Sequence, residues 1–232
     1  MSRIICHHED SPIIFVAPHG HQGDDYNTNI IAEAAAKEIK ANYLINIGFR
    51  RNLHVDENKD FADCNNVNHM SDPILRDEFL LPYKRMCMRA KKKHGSALVV
   101  FIHGVSDKVR KDSGVLDLDI ILGYGLGTPE SRTCYEIGVR QFIYQIYKDD
   151  INCCIGKSGG KYSGYNKSNM NQYWRKIEKD MFISSLQLEI VRELRDDHII
   201  SILTAQSIAL AIEKCYNCTS FNYPSNFFVS QV

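Results

Sequence analysis

Two histidines stand where apolar runs end. His19 follows Pro12-Ile-Ile-Phe-Val-Ala17 and precedes Gly20; His103 ends Ala97-Leu-Val-Val-Phe-Ile102 and precedes Gly104. Asp24 comes five residues after His19, next to Asp25. A histidine, a nearby carboxylate and a distant histidine form the ligand set of a catalytic zinc, with one tetrahedral position left for water. His19, Asp24 and His103 are assigned to that set, one ion per chain, and another divalent ion could replace zinc. Water so bound has its pKa lowered from about 15.7 to about 7 and still needs a base. In Ser184-Ser-Leu-Gln-Leu-Glu-Ile-Val191, alternation puts Gln187 and Glu189 on one face, opposite Leu186, Leu188 and Ile190. A carboxylate in so apolar a strand is costly unless it meets a polar cavity or a partner. Glu189 is therefore assigned as the general base, against the alternative of a buried ion pair with Arg192 or Arg195.

The elements that must position these groups alternate between strand and helix. Apolar runs predict strands over 12–17, 43–47, 97–102, 116–122 and 183–191. Helical spacing predicts helices over 29–40, 79–94, 131–147 and 200–215, the first capped by the Thr28 hydroxyl. The stretch 49–77 reads as a long loop. The Gly-, Ser-, Tyr- and Asn-rich stretch 156–171 reads as a mobile lid whose Tyr162, Tyr165 and Asn169 can reach a ligand. Such alternation gives an α/β sandwich with a largely parallel sheet, in which ligands sit beyond the carboxyl ends of the strands. The length of 232 residues suits a single domain over 1–232.

Composition removes several classes. The 28 Lys and Arg balance 28 Asp and Glu, which argues against nucleic acid as a partner, because neutralising phosphates needs a basic excess. The longest wholly apolar run, 97–102, is far below the roughly 18 residues of a membrane span. The first residues show no signal-peptide core, so a cytoplasmic protein acting on a small molecule is expected. Eight scattered cysteines, with one Cys-x-x-Cys at Cys215 and Cys218, lack the second pair a zinc knuckle needs. Gly156-Lys-Ser158 is no P-loop, since Ile151 stands where its first glycine belongs. Gly123-Tyr-Gly-Leu-Gly127 has Thr128 where the dinucleotide fingerprint wants a small residue, and reads as a turn near the site. His19-Gly-His21 misses the His-x-His-x-Asp-His pattern at Gly23 and Asp24, leaving His21 as a substitute ligand only.

Five segments follow one another in a familiar order: Pro18-His-Gly-His-Gln-Gly-Asp24, Asp63-Cys-Asn-Asn66, Phe101-Ile-His-Gly104, Leu118-Asp-Ile-Ile-Leu-Gly123 and Leu186-Gln-Leu-Glu-Ile190. Over about 12–211 the chain resembles N-formylglutamate amidohydrolase-like proteins, and its His-x₄-carboxylate resembles the metal motif of the related poly-γ-glutamate hydrolases. The resemblance implies a three-layer, zinc carboxypeptidase-like fold with a mixed, mostly parallel sheet, one zinc, and hydrolysis of an amide bond. It carries His19, Asp24 and His103 over as ligands, and Glu189 as the residue that activates water and protonates the leaving amine. The family commonly has Asp-Leu-Asn-Arg where this chain has Asp63-Cys64-Asn65-Asn66, so the Arg that clamps a substrate carboxylate is missing. Arg50 and Arg51 could supply that clamp, against the alternative of simple surface charge, with Asn65 and Asn68 as further substrate-binding residues. N-formylglutamate itself is then not the expected substrate. Asp119 is expected either to orient a ligand histidine or to end a strand ladder. A second reading keeps the fold and metal but not the turnover, as a metabolite-binding module.

Overall fold

The computed structural model describes residues 2–50, 63–113 and 117–217. Seven strands form one sheet: β1 Ile4–His7, β2 Ile13–Ala17, β3 Asn42–Asn46, β4 Ala97–Val105, β5 Ile120–Gly123, β6 Cys153–Ile155 and β7 Ile183–Val191, in the order β1-β3-β2-β4-β7-β5-β6. The central strands β3, β2, β4 and β7 pair in parallel, as do β5 and β6. The pairs β1–β3 and β5–β7 are antiparallel. The sheet is thus mixed and mostly parallel, as expected. β2 is apolar along its whole length because both its faces are covered. Ile13, Phe15 and Ala17 enter one core, whereas Ile14 and Val16 enter another.

The first core is closed by helices α1 Thr28–Glu38, α5 Glu136–Ile146 and α6 His198–Asn217, and the second by α3 Leu81–His94 with Met170, Tyr173 and Trp174. Two further helices are single turns or little more, α2 Pro73–Leu75 and α4 Lys108–Ser113. By length and composition α6 could cross a bilayer, yet Ala205, Ile208, Ala209 and Ile212 are buried in the first core.

The elements differ from expectation in physically informative places. The long loop is shorter than the sequence suggests, because the chain is helical from Pro73 onward. The Asp72 side chain accepts from the amides of Ile74 and Leu75, and Pro73 sits where its missing amide costs nothing. The chain then widens into a π-type turn over Arg76–Leu80 before Pro82, whose ring cannot donate to the preceding turn. Thr28 does not cap α1. Asn27 holds the cap position with a left-handed backbone (φ 60°), and the Thr28 hydroxyl donates to the Asp25 carbonyl. The short edge strands β1 and β6 are additions to the expected set. The expected helix over 131–147 begins only at Glu136, after a turn at Pro129–Ser131. Burial pushes up the thiols of Cys64, Cys87 and Cys153, away from reactivity. Cys218 lies outside the described residues.

Candidate metal centre

The site grows from the carboxyl ends of the adjacent parallel strands β2 and β4. The chain leaves β2 through α1 on one face and reaches β4 from α3 on the other, so the two strands flank a topological switch point. Beyond β2 the backbone turns twice. Asp24 N–H donates to the His21 carbonyl at 2.9 Å and Asp25 N–H to the His19 carbonyl at 3.2 Å. The second bond folds Asp25 back beneath His19. His103 lies within β4 on the same face as Val99 and Phe101, and its ring centroid is 5.1 Å from that of His19.

His19, Asp25 and His103 form the one group of three or more potential ligands found among the described residues, their donor atoms all within 4.8 Å of one another. Asp25 Oδ2 is 3.2 Å from His19 Nδ1 and 3.6 Å from His103 Nδ1, and accepts the Gly104 amide at 3.0 Å. All three side chains are at most 3% exposed as residues. The opposite nitrogen of His19, Nε2, lies 2.7 Å from Asp63 Oδ1. Burial opposes charge on His19, but the hydrogen bonds to Asp25 and Asp63 outweigh it and lift its pKa to about 9. Burial would raise the Asp25 carboxyl, yet His103 and His19 hold it well below the usual carboxylate range. His103 Nε2 is buried and makes no hydrogen bond among the described residues.

The donor set fits a divalent cation. Two imidazoles turn Nδ1 toward one carboxylate oxygen. A cation would find two ring nitrogens and a carboxylate oxygen there, while Asp63 holds the far side of one ring as outer carboxylates hold metal-bound histidines.

The structure brings His19 and His103 together, as the sequence reading requires, but the carboxylate between them is Asp25. Asp24 is half-buried and lies outside the cluster. The reason is local: in so tight a turn, adjacent residues send their side chains in different directions, and the Asp25–His19 backbone bond selects the later one. His21 also stays apart, its Nδ1 accepting the Gly23 amide at 2.9 Å. Glu189 is Cα-paired with His103 across the β4–β7 ladder, so the two side chains emerge on one face. Its Oε1 accepts from Gln187 Nε2 at 3.2 Å. Gln187 in turn bonds the Tyr162 carbonyl at 3.2 Å and the Asn169 amide at 3.0 Å. The stretch 156–171 therefore reaches the base through Tyr162 and Asn169, whereas Tyr165 packs over Gly127. Arg192 pairs with Asp196, and Arg195 spends its nitrogens on three backbone carbonyls.

The other assigned residues divide. The Arg50 guanidinium rests on Gly23, where an added Cβ would come within 2.6 Å of Nη2, and its buried Nε makes no hydrogen bond among the described residues. Arg51 lies outside the described residues. Asn65 donates its backbone amide to Asp63 Oδ1 at 2.8 Å, and its own Oδ1 is buried with no hydrogen bond among the described residues. Asn68 is exposed on the turn Val67–Ser71 and lines a cleft of about 870 Å³ with Tyr165 and Lys176. That cleft contains none of the cluster residues. Asp119 accepts from Arg110 Nη2 at 2.8 Å and from the Asn152 amide at 2.9 Å, so it fastens the ends of β5 and β6. The histidine-orienting role passes to Asp63. Sequence reasoning quoted Asp63 without a role and passed over Asp25 for its neighbour; only the fold brings Asp63 across 44 residues to His19.

No family model matches the sequence, and no curated protein matches it. Solved structures do. N-formylglutamate amidohydrolase from Ralstonia eutropha JMP134 is similar with a TM-score of 0.63 at 13% identity, covering 94% of this chain and 98% of that one. A bacteriophage poly-γ-glutamate hydrolase gives 0.57 at 13% identity, over 93% and 89% of the two chains. A metallo-carboxypeptidase from Burkholderia cenocepacia gives 0.56 at 14% identity, over 90% of this chain and 58% of that one. Identities this low speak to architecture: the chain has the α/β fold of N-formylglutamate amidohydrolase, poly-γ-glutamate hydrolase and metallo-carboxypeptidase.

Proposed function

We propose that the protein is a metal-dependent hydrolase that cleaves an amide bond, of N-acyl or γ-glutamyl type, in a small carboxylate-bearing substrate. The observation that carries this reading is the convergence of His19, His103 and Asp25, with Glu189 held in register beside His103. Zinc suits the mixed nitrogen and oxygen donors, and when bound it would lower the pKa of a water toward 7 and polarise the scissile carbonyl.

Glu189 accepts the proton of the attacking water and returns it to the leaving nitrogen. Gln187 donates to Oε1 of that carboxylate and so helps to orient it. His19 keeps its Nδ1 directed at the centre because Asp63 holds Nε2. Arg50 binds the substrate carboxylate, its Nε being buried and, among the described residues, unbonded beside the turn that carries Asp25. Arg51 is proposed to assist it, and Asn65 offers Oδ1 to a substrate donor. The structural neighbours are named for N-formylglutamate and poly-γ-glutamate. The Arg missing after Asn65 argues against the first of these as substrate here. We further propose a cytoplasmic setting, with neither nucleic acid nor membrane as partner, in keeping with the balanced charge.

Metal analysis of the purified protein and assay against N-acyl amino acids and γ-glutamyl peptides test this. About one zinc per chain is expected, lost in His19→Ala and His103→Ala, kept in Glu189→Gln, with hydrolysis of at least one substrate in the panel. A protein that binds metal yet hydrolyses none of them is a binding module, and one that binds no metal overturns the reading altogether.

A further inference from the structure

Arg195 lies outside the reactive cluster yet touches every segment that builds it. It closes the short turn Arg192–Arg195 after β7 and is 5% exposed. Its Nε donates to the Ile190 carbonyl at 3.1 Å, Nη1 to the Tyr26 carbonyl at 2.7 Å, and Nη2 to the Val105 carbonyl at 3.1 Å. Those carbonyls belong to the residue after Glu189, the residue after Asp25, and the second residue after His103. The Arg195 carbonyl itself accepts from Asn27 Nδ2 at 2.8 Å, and Asn27 is the left-handed residue that ends the Asp25 turn.

Gly104 completes the arrangement. A Cβ there would come within 2.5 Å of the Arg195 guanidinium carbon, and the Gly104 amide donates to Asp25 Oδ2. A side chain at 104 would push the cation out of its seat and disturb the amide that steadies Asp25. A guanidinium is buried at a high cost unless its donors are satisfied. Here carbonyls satisfy them, and among the described residues no carboxylate lies within ion-pair distance of it. A planar fork can hold three divergent carbonyls at once, which a lysine ammonium does with less geometric control.

We propose that Arg195 is a positioning residue of the metal-and-base site: by gripping one carbonyl from each of three segments, it sets the spacing between His103, Asp25 and Glu189. This rests on the metal-centre reading above. A plain staple of the fold would make the same bonds, so the test must read the centre and not only stability. Cobalt(II) titration of the full chain, followed by visible absorption, reports the ligand arrangement without any substrate. Arg195→Lys removes the fork; Gly104→Ala keeps every donor but occupies its seat.

Both variants are expected to bind cobalt and zinc about 10- to 100-fold more weakly than the parent, as losses of outer-sphere partners do. Both should shift the cobalt absorption bands in the same sense, and with a working substrate kcat should fall while KM stays nearly constant. Unchanged metal affinity and an unchanged cobalt spectrum in both, with only the melting temperature lowered, would overturn the proposal and leave a structural staple. If Arg195→Lys does not fold, Gly104→Ala decides by the same readings. If neither folds, Asn27→Gly does so, since it keeps the left-handed backbone and releases only the Arg195 carbonyl. A parent protein that takes up no cobalt contradicts the metal-centre reading itself, a result distinct from normal uptake by parent and variants alike.

Discussion

His103 and His19 reach the same carboxylate oxygen by different means. His103 is carried by β4, which pairs with β7 along its whole length, so its direction and its distance from Glu189 follow from strand register. His19 has already left β2, and its ring is held by side chains: Asp25 on one nitrogen and Asp63 on the other. A ladder fixes a side chain through backbone bonds that hardly depend on which residue is present. A turn fixes one through particular partners, and a shift of one residue changes which partner arrives. The strand-borne half of the site should therefore tolerate changes around it and lose function sharply when its own groups change. The loop-borne half should be sensitive to its neighbours.

The largest effect is expected on the strand-borne side. Glu189→Gln should lower kcat by about 10²- to 10⁴-fold, the usual contribution of a general base, with metal retained and the melting temperature little changed. A variant that unfolds would place Glu189 in a structural contact instead, and the comparison would lose its catalytic half.

On the loop-borne side, Asp25→Asn and Asp24→Asn separate adjacent carboxylates. Asp25→Asn should weaken zinc binding by roughly 100-fold or more, since it removes a proposed ligand, while Asp24→Asn should change it by less than about threefold. Equilibrium zinc titration gives both numbers. The reverse order would mean that the turn rearranges when metal binds, and that the one-residue difference belongs to the metal-free state.

Acidity probes the same half. In the metal-free protein the His19 pKa is about 9, above the value near 6.5 of an unfolded chain. The stability that its carboxylate partners supply is then fully present below pH 6.5 and is lost as pH rises toward 9. Because Asp25 and Asp63 share the contact, a loss of about 2 kcal/mol is expected, below what the full shift would give. The depressed Asp25 carboxyl acts at the other end, its contribution disappearing only in strong acid. Thermal melts between pH 6 and 10 should show the decline in the parent and a much flatter profile in His19→Gln. A flat profile in the parent would mean that the ring is not charged.

These contrasts also explain what could be read from the sequence. The strands at β2, β4 and β7 are apolar runs, so their existence was legible, as were the places of His19 just past β2 and of His103 and Glu189 toward the carboxyl ends of β4 and β7. The edges β1 and β6 were not: β1 is Ile-Ile-Cys-His with three of four residues exposed, which carries no burial signal. The stretch before α3 did contain the cap of α2, Asp72-Pro73, hidden among residues otherwise rich in Asn and Asp. Asp25 was hidden by proximity, because composition cannot choose between neighbours in a tight turn. The Asp63–His19 pairing was hidden by distance, and the three carbonyls on Arg195 by being backbone, which no side-chain pattern reports.

The smallest expected effect concerns Asp119, a carboxylate with the right surroundings for orienting a histidine but bonded elsewhere. It bridges Arg110 and the Asn152 amide at the β5–β6 end of the sheet, on the far side of β7 from β4. Asp119→Asn keeps the amide acceptor and weakens the charge pairing, which should cost about 1 kcal/mol of stability. Zinc affinity should stay within about twofold of the parent. Asp63→Asn, by contrast, should weaken zinc binding about tenfold or more with little change in melting temperature. Measuring both variants by denaturant melts and zinc titration separates a carboxylate that orients a ligand from one that ties strands. Were Asp119→Asn to lose metal as readily as Asp63→Asn, the ladder-borne half would depend on remote partners too, and register alone would not explain how His103 is placed.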